Sequence, residues 1–296
     1  MDPQAQGAWK QEALETVFAA LAHNRSLASR LIFKGARVLN RRLNDASRQS
    51  LDLDAGLRAE FLAQYPDADE RVLVLRQEIE QSVSSLLAAK DLTPYTLESV
   101  TVEQKPAQGN HPFGWNGMLA RIRLHDARLP QAVGLPTIEL DFSAPESFGP
   151  NGIAPLKIDG ADVDAESLGR MAAEKLRAFL QSLPAWRAKT GSQIRAVRVR
   201  DIFDLRRVVV AKPLTDSDFW SDVGAEFRVA CQSRSVDCAG MTTFAEQIDV
   251  TRATFEGDAT VPKKWSFDEL WQNLASIVEQ LERTGVVPFS FPSPKP

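Results

Sequence analysis

The sequence predicts an α+β fold, with a mixed helix-and-strand part over about residues 1–150 and a helical part from about 151 to 296. Three observations predict it. Runs of strand length, apolar or alternating, fall before residue 143. Apolar residues at helical spacing dominate after residue 165. Between them, Gly149 to Gly160 is rich in glycine, proline and asparagine and marks a boundary. With 296 residues, 44% apolar and 25% charged, the chain holds one large domain or two small ones. It buries a core without disulfide staples.

Ala13, Leu14, Val17, Phe18 and Leu21 recur at helical spacing and predict an amphipathic helix from about Trp9 to His23. Leu31-Ile32-Phe33 reads as a short strand ended by a tight turn at Gly35, with a short helix from Ala36 to Arg42. Ser50 to Leu57 alternates, so a strand there puts Asp52 and Asp54 on one face. Val72, Leu75, Ile79, Val83, Leu86 and Leu87 predict a long helix from Asp69 to Ala89. Strands follow at Tyr95–Gln104, Met118–Leu124 and Thr137–Phe142, the first two joined by hairpin-like chemistry at residues 108–112. Asp141 shares a strand face with Glu139. Helices are then predicted over Ala165–Leu183, Ser192–Val210 and Asp216–Cys231. Ser266 with Glu269 is a capping box that opens a helix to about Thr284. Pro288, Pro292, Pro294 and Pro296 make the end non-helical.

No apolar run approaches the roughly 20 residues that span a bilayer. The opening Met1-Asp2-Pro3-Gln4 lacks a basic region followed by an apolar one, so no secretory signal is expected. Cys231 and Cys238, with three scattered histidines, make neither a disulfide scaffold nor a zinc site. A cytoplasmic chain is the expectation. Its net charge of −4 hides an asymmetry. Leu51 to Lys105 has 11 acidic and 5 basic residues, whereas Arg170 to Lys212 has 11 basic and 3 acidic ones. A further basic cluster joins Arg30, Lys34, Arg37, Arg41, Arg42 and Arg48. These segments read either as solvated helix faces or as surroundings for a polyanion such as a nucleoside triphosphate or RNA.

The strongest chemical feature is Phe33-Lys34-Gly35 followed by Ser50-Leu51-Asp52-Leu53-Asp54. Two adjacent carboxylates repel unless a cation sits between them, and hard oxygen ligands suit Mg²⁺. The glycine turn offers backbone N–H groups to phosphate. Asp141 could add a third carboxylate, completing a set suited to phosphoryl or nucleotidyl transfer. The alternative is that Asp52 and Asp54 merely face solvent on an edge strand. Lys175, on a helix, could meet a triphosphate as a point charge. Asp201 and Asp204 share a helix face flanked by Arg200 and Arg207, though Asp204 and Arg207 could equally be an exposed pair.

In order, Leu31-Ile32-Phe33-Lys34-Gly35-Ala36-Arg37, Ser50-Leu51-Asp52-Leu53-Asp54, Leu140-Asp141-Phe142, Ala173-Glu174-Lys175-Leu176-Arg177 and Arg200-Asp201-Ile202-Phe203-Asp204-Leu205 resemble the AbiEii/AbiGii-type nucleotidyltransferase toxins. The resemblance spans about Ala13 to Val210. It implies a polymerase-β-like nucleotidyltransferase core with a small mixed sheet and a helical C-terminal part. It implies Mg²⁺ and a nucleoside triphosphate, with Asp52, Asp54 and Asp141 as metal ligands. Lys175 then looks like the triphosphate lysine, and Asp201 or Asp204 like the helical acid. Lys34, Gly35, Arg37, Arg177 and Arg200 are further candidate nucleotide contacts. Such toxins imply a cognate antitoxin and an acceptor such as a tRNA end or another RNA; a protein or small-molecule hydroxyl is the alternative, as is a non-catalytic nucleotide-binding role.

The sequence departs from that pattern at the turn. The second glycine is Ala36, and the expected Thr or Ser is Arg37. Arg37 either points inward to meet phosphate through its guanidinium or outward to solvent. His111 and His125 lack a partner motif, and no Ser/His/Asp grouping is evident. Asn24-Arg25-Ser26 is a glycosylation triplet by pattern alone. Trp220, Trp265 and Trp271 fit helix packing better than an RNA-stacking surface.

Overall fold

The computed structural model describes residues 2–89, 93–106, 111, 113–131, 134–143, 145–193 and 196–294. The turn expected at 108–112 lies, apart from His111, outside the described residues. Contacts divide the chain into two compact units. The first gathers Met1–Val38, Gln49–Pro145 and Ala154–Ala165; the second gathers Leu39–Arg48, Glu146–Ile153 and Glu166–Pro296. The sequence suggests a single cut near residue 150, but the contacts interleave the segments.

The first unit opens with helix α1 (Pro3–His23). The Asp2 carboxylate accepts from Ala5 N at 2.8 Å and a proline occupies the first turn, so both signals of a helix start are present. Trp9, Ala13, Leu14, Val17, Phe18 and Leu21 are buried, as their spacing requires. Short helix α2 (Arg25–Ala28) is capped by Asn24, whose side chain accepts from Leu27 N and donates to Ser82 Oγ at 2.7 Å. That capping explains the residue without glycosylation. Strand β1 (Leu31–Lys34) ends at Gly35, which has φ +80° and opens helix α3 (Gly35–Leu43). Strand β2 (Leu53–Leu57) and helices α4 (Ala59–Gln64) and α5 (Ala68–Ala89) follow. The α5 helix packs Leu75, Ile79, Val83 and Leu87 inward, against α1 and β3 (Tyr95–Lys105).

Strands β4 (Gly117–Asp126) and β5 (Ile138–Ser143) extend the sheet. In β5 burial alternates, with Ile138, Leu140 and Phe142 in the core and Glu139, Asp141 and Ser143 facing out. A pair not expected from the sequence, β6 (Ile153–Ile158) and β7 (Ala161–Glu166), occupies the stretch read as a boundary loop. Among the described residues the strands form one sheet in the order β3-β4-β5-β2-β1-β7-β6. Pairings β1–β2, β3–β4 and β4–β5 are antiparallel, whereas β2–β5 and β1–β7 are parallel. The small mixed sheet that was expected is thus present, and larger than read.

The second unit is helical. Helix α6 (Leu168–Gln181) is capped by Ser167, and α7 (Pro184–Thr190) opens on Pro184. Helix α8 (Val199–Ala211) starts later than the expected Ser192. Helix α9 (Ser217–Ser233) is capped by Asp216, and α10 (Met241–Phe244) and α11 (Ile248–Gly257) are short. The Ser266–Glu269 capping box is present and opens α12 (Phe267–Arg283). Leu176, Phe179, Phe203, Trp220, Val223, Phe227 and Ile277 form the core where α6, α8, α9 and α12 meet. Trp220 is buried and donates to the carbonyls of Lys212 and Pro213, so it serves packing. Among the described residues no helix is long and apolar enough to cross a membrane.

Candidate active site

In the first unit, register assembles a row of charged residues. Lys34 on β1 stands opposite Asp54 on β2, and Asp54 stands opposite Asp141 on β5. Directly opposed residues share a sheet face, so both carboxylates project on the side away from Leu53, Leu140 and Phe142. Asp52 lies one residue before β2 and is exposed, with its Oδ1 3.5 Å from Ser50 Oγ. The spacing of two places it on the same side as Asp54 only while the backbone stays extended. Lys105, from β3, forms an ion pair with Asp141, both side chains being partly exposed. A solvated pair of this kind contributes about 0–1 kcal/mol, so a bound cation can replace the lysine at low cost.

Gly35 fits tightly against Asp54. A Cβ on Gly35 would come 2.8 Å from Asp54 Cγ and 2.9 Å from Asp54 Cβ. Only glycine adopts φ +80° without strain and leaves this room. Asp54 therefore packs its carboxylate against the first residue of α3, where the helix dipole favours negative charge. Gly35→Ala should destabilise the protein by about 1–3 kcal/mol. Denaturant unfolding checks this; a loss below about 0.5 kcal/mol would show that Asp54 moves away freely.

These residues suit a hard divalent cation: two side-by-side carboxylates, with a third two residues upstream. Among the described residues, however, no group of three or more His, Cys, Asp or Glu stands close enough together to hold one. Of the expected set, register brings Asp54 and Asp141 together, and Asp52 stands one residue outside β2.

In the second unit, Lys175 lies between two acids. Its Nζ is 2.9 Å from Asp201 Oδ1 and 2.7 Å from Asp204 Oδ2. Arg48 grips Asp204 with both nitrogens of its fork, at 3.0 and 2.8 Å. Arg207 adds a bond to Asp204 at 3.1 Å and reaches Asp45 and Asn40. Asp204 and Arg207 are buried, not the exposed pair considered from spacing. Burial works against the charge of Asp204, but Lys175 and Arg48 outweigh it and hold its pKa well below the usual carboxylate range. Asp201 is lowered likewise, burial being overcome by Arg198 and Lys175. For Lys175 burial is overcome by Asp201 and Asp204, and its pKa is raised. Arg48 had no local signal as a partner of this cluster, since 156 residues separate it from Asp204.

Arg177 and Arg200 do not join Lys175. Arg177, two residues along α6, bonds Glu174 and Gln181 of its own helix. Arg200 pairs with Asp258 at 3.3 Å on an exposed surface. Arg170, fully buried, is surrounded by Glu166, Glu174 and Glu226. Among the described residues of 170–212, Arg170, Lys175, Arg177 and Arg207 are thus turned inward onto acids or polar partners, while Arg198 and Arg200 stay exposed.

A profile of the family described as nucleotidyl transferase AbiEii toxin, type IV toxin–antitoxin system, matches residues 19–284. The chain belongs to the AbiEii family. A search of the curated proteins finds no match. Two solved structures share partial likeness. One is the antibiotic-resistance factor ANT(2″)-Ia in solution, 11% identical, with TM-score 0.37, covering 73% of this chain and 90% of its own. The other is an antigenic nucleotidyltransferase-like protein from Paracoccidioides brasiliensis, 13% identical, with TM-score 0.35, covering 80% of this chain and 94% of its own.

The AbiEii family is one of nucleotidyltransferase toxins, so nucleotidyl transfer and a toxin role belong to this chain at that level. Within this AbiEii protein, Arg37 takes neither of the two anticipated directions. It is buried, pairs with Glu15, and donates to Gln11 Oε1 at 2.9 Å and to the Ser50 carbonyl at 3.2 Å. A guanidinium so engaged does not serve as the expected phosphate contact.

Proposed function

We propose that the chain moves a nucleoside monophosphate from a nucleoside triphosphate to a hydroxyl of RNA, a tRNA end foremost, as the toxin partnered by a cognate antitoxin. The observation that carries the nucleotidyl-transfer half is the Asp54–Asp141 pair, in register on one sheet face beside the glycine that opens α3. The RNA acceptor rests on the resemblance to the toxins. Asp54 and Asp141 would hold Mg²⁺ as a pair, leaving its other positions to water and triphosphate oxygens. A bound divalent cation supplies charge neutralisation at the α-phosphate and lowers the pKa of an attacking hydroxyl. The carboxylates on the sheet fix where the triphosphate's α-phosphate and the acceptor oxygen meet. In the transfer the acceptor hydroxyl releases its proton to solvent, its oxygen bonds to the α-phosphorus, the bond from that phosphorus to the α,β-bridging oxygen breaks, and pyrophosphate leaves. Lys34, beside Asp54 in the row, is proposed as a contact for departing phosphate charge. Lys175, the triphosphate lysine by the resemblance, lies in the second unit, where two of its three donors serve Asp201 and Asp204.

Incubation with each α-labelled nucleoside triphosphate, Mg²⁺ and total RNA tests the reading. Label is expected in an RNA band of tRNA size, lost on adding EDTA. Label in protein or in a small molecule would reject the RNA acceptor while keeping the chemistry. No label anywhere, with nucleotide still bound, would reject transfer itself.

A further inference from the structure

We infer that Arg37 is a positioning residue, the centre of a clamp that fixes the backbone entering Asp52-Leu53-Asp54. This rests on the reading of those acids as the transfer site. Residues 49–52 have no helix or strand of their own, so side chains set their course. Ser50 carries the load. Its carbonyl accepts from Gln11 Nε2 at 2.5 Å and from Arg37 Nη2 at 3.2 Å. Its hydroxyl, in turn, donates to the Asp52 carbonyl at 3.0 Å. Gln11 and Glu15 are one helical turn apart on α1, and both engage Arg37. Arg37 thus ties α1, the start of α3 and the acid-bearing segment together, while being only 5% exposed.

The geometry explains why an arginine serves here. A Thr or Ser at position 37 is too short to reach from α3 to both α1 and the Ser50 carbonyl. A guanidinium offers several donors in a fixed plane, which a lysine's point charge does not reproduce. The same segment carries Asp52 two residues beyond Ser50. A carboxylate misplaced by about 1 Å at a transfer site is enough to cost roughly a hundredfold in rate. Arg37 therefore acts through Asp52 and Asp54 without touching substrate.

The test uses the full-length protein without nucleotide. Mn²⁺ affinity is read by electron paramagnetic resonance, amide exchange at residues 49–52 by mass spectrometry, and unfolding by a thermal scan. Arg37→Ala is expected to raise exchange at 49–52 at least tenfold and to weaken Mn²⁺ binding about tenfold. Arg37→Lys should recover part of the affinity, and Arg37→Thr, the family-like residue, should not. If Arg37→Ala fails to fold, Gln11→Ala removes one of the two donors to the Ser50 carbonyl and should shift both readouts in the same direction by a smaller factor. Wild-type Mn²⁺ affinity with unchanged exchange at 49–52 in the folded variants overturns the clamp. A wild type that binds no Mn²⁺ overturns the acid reading instead, and exchange at 49–52 still decides the clamp.

Discussion

Asp54→Asn is expected to lower nucleotidyl transfer by about a thousandfold or more, equivalent to roughly 4 kcal/mol of transition-state stabilisation. The substitution keeps the shape that packs against Gly35 and removes the charge that a cation needs. Stability should change by less than about 1 kcal/mol, because the attraction lost to Lys34 and the start of α3 is offset by relief of the like charge on Asp141. Asp141→Asn should approach the same loss, and its effect should not add in full to that of Asp54→Asn, since the two act on one transfer. Initial rates at saturating labelled nucleotide measure the effect. Transfer within tenfold of wild type in a folded Asp54→Asn protein would remove Asp54 from the site.

The largest stability effect is expected at Asp204. Three cations, Lys175, Arg48 and Arg207, converge on one fully buried carboxylate. Removing one partner of a buried pair leaves uncompensated charge and costs about 3–5 kcal/mol. Asp204→Asn should therefore show a loss of that order in urea, while Asp258→Asn, whose partner Arg200 is exposed, should show almost none. The same acids set an acid limit. Asp201 and Asp204 are held below the usual carboxylate range when folded, so their stabilisation is complete above the unfolded value near pH 4. It is lost as pH falls from there toward their folded values. The unfolding midpoint should drop between pH 5 and pH 3 in wild type and drop less in Asp204→Asn. Equal slopes would show that the cluster does not carry the acid sensitivity.

Much of the fold was legible because the core follows simple periods. Alternation at residues 138–143 and helical spacing over α1 and α5 put the right side chains inside. The capping chemistry of Ser266 and Glu269 is local and came through unchanged. The β6–β7 pair was not legible, since its outward positions carry Lys157, Asp162 and Asp164 and its turn looks like a boundary. An edge pair buries too little to leave a strong alternation. At the site, the spacing in Asp52-Leu53-Asp54 suggested paired acids, but register decided which two stand together. That Asp54 meets Asp141 and that Arg48 meets Asp204 are long-range facts with no local trace. Arg37 misled for a physical reason. An arginine in a phosphate-type turn looks like an anion contact until its neighbours on α1 are known.

The parallel pairing of Phe33 on β1 with Ala165 on β7 bears on how the protein is made. The neighbour that covers the open side of β1 follows it off the ribosome roughly 130 residues later. At about 5–20 residues per second, that interval lasts on the order of ten seconds. Asp54 also waits for Asp141, so a growing chain carries its acids on an unfinished sheet whose edge is exposed to other strands. A chain stalled before residue 161 would hold Asp54 and Asp141 already made, but with β7 missing the β1 side of its sheet would stay unpaired.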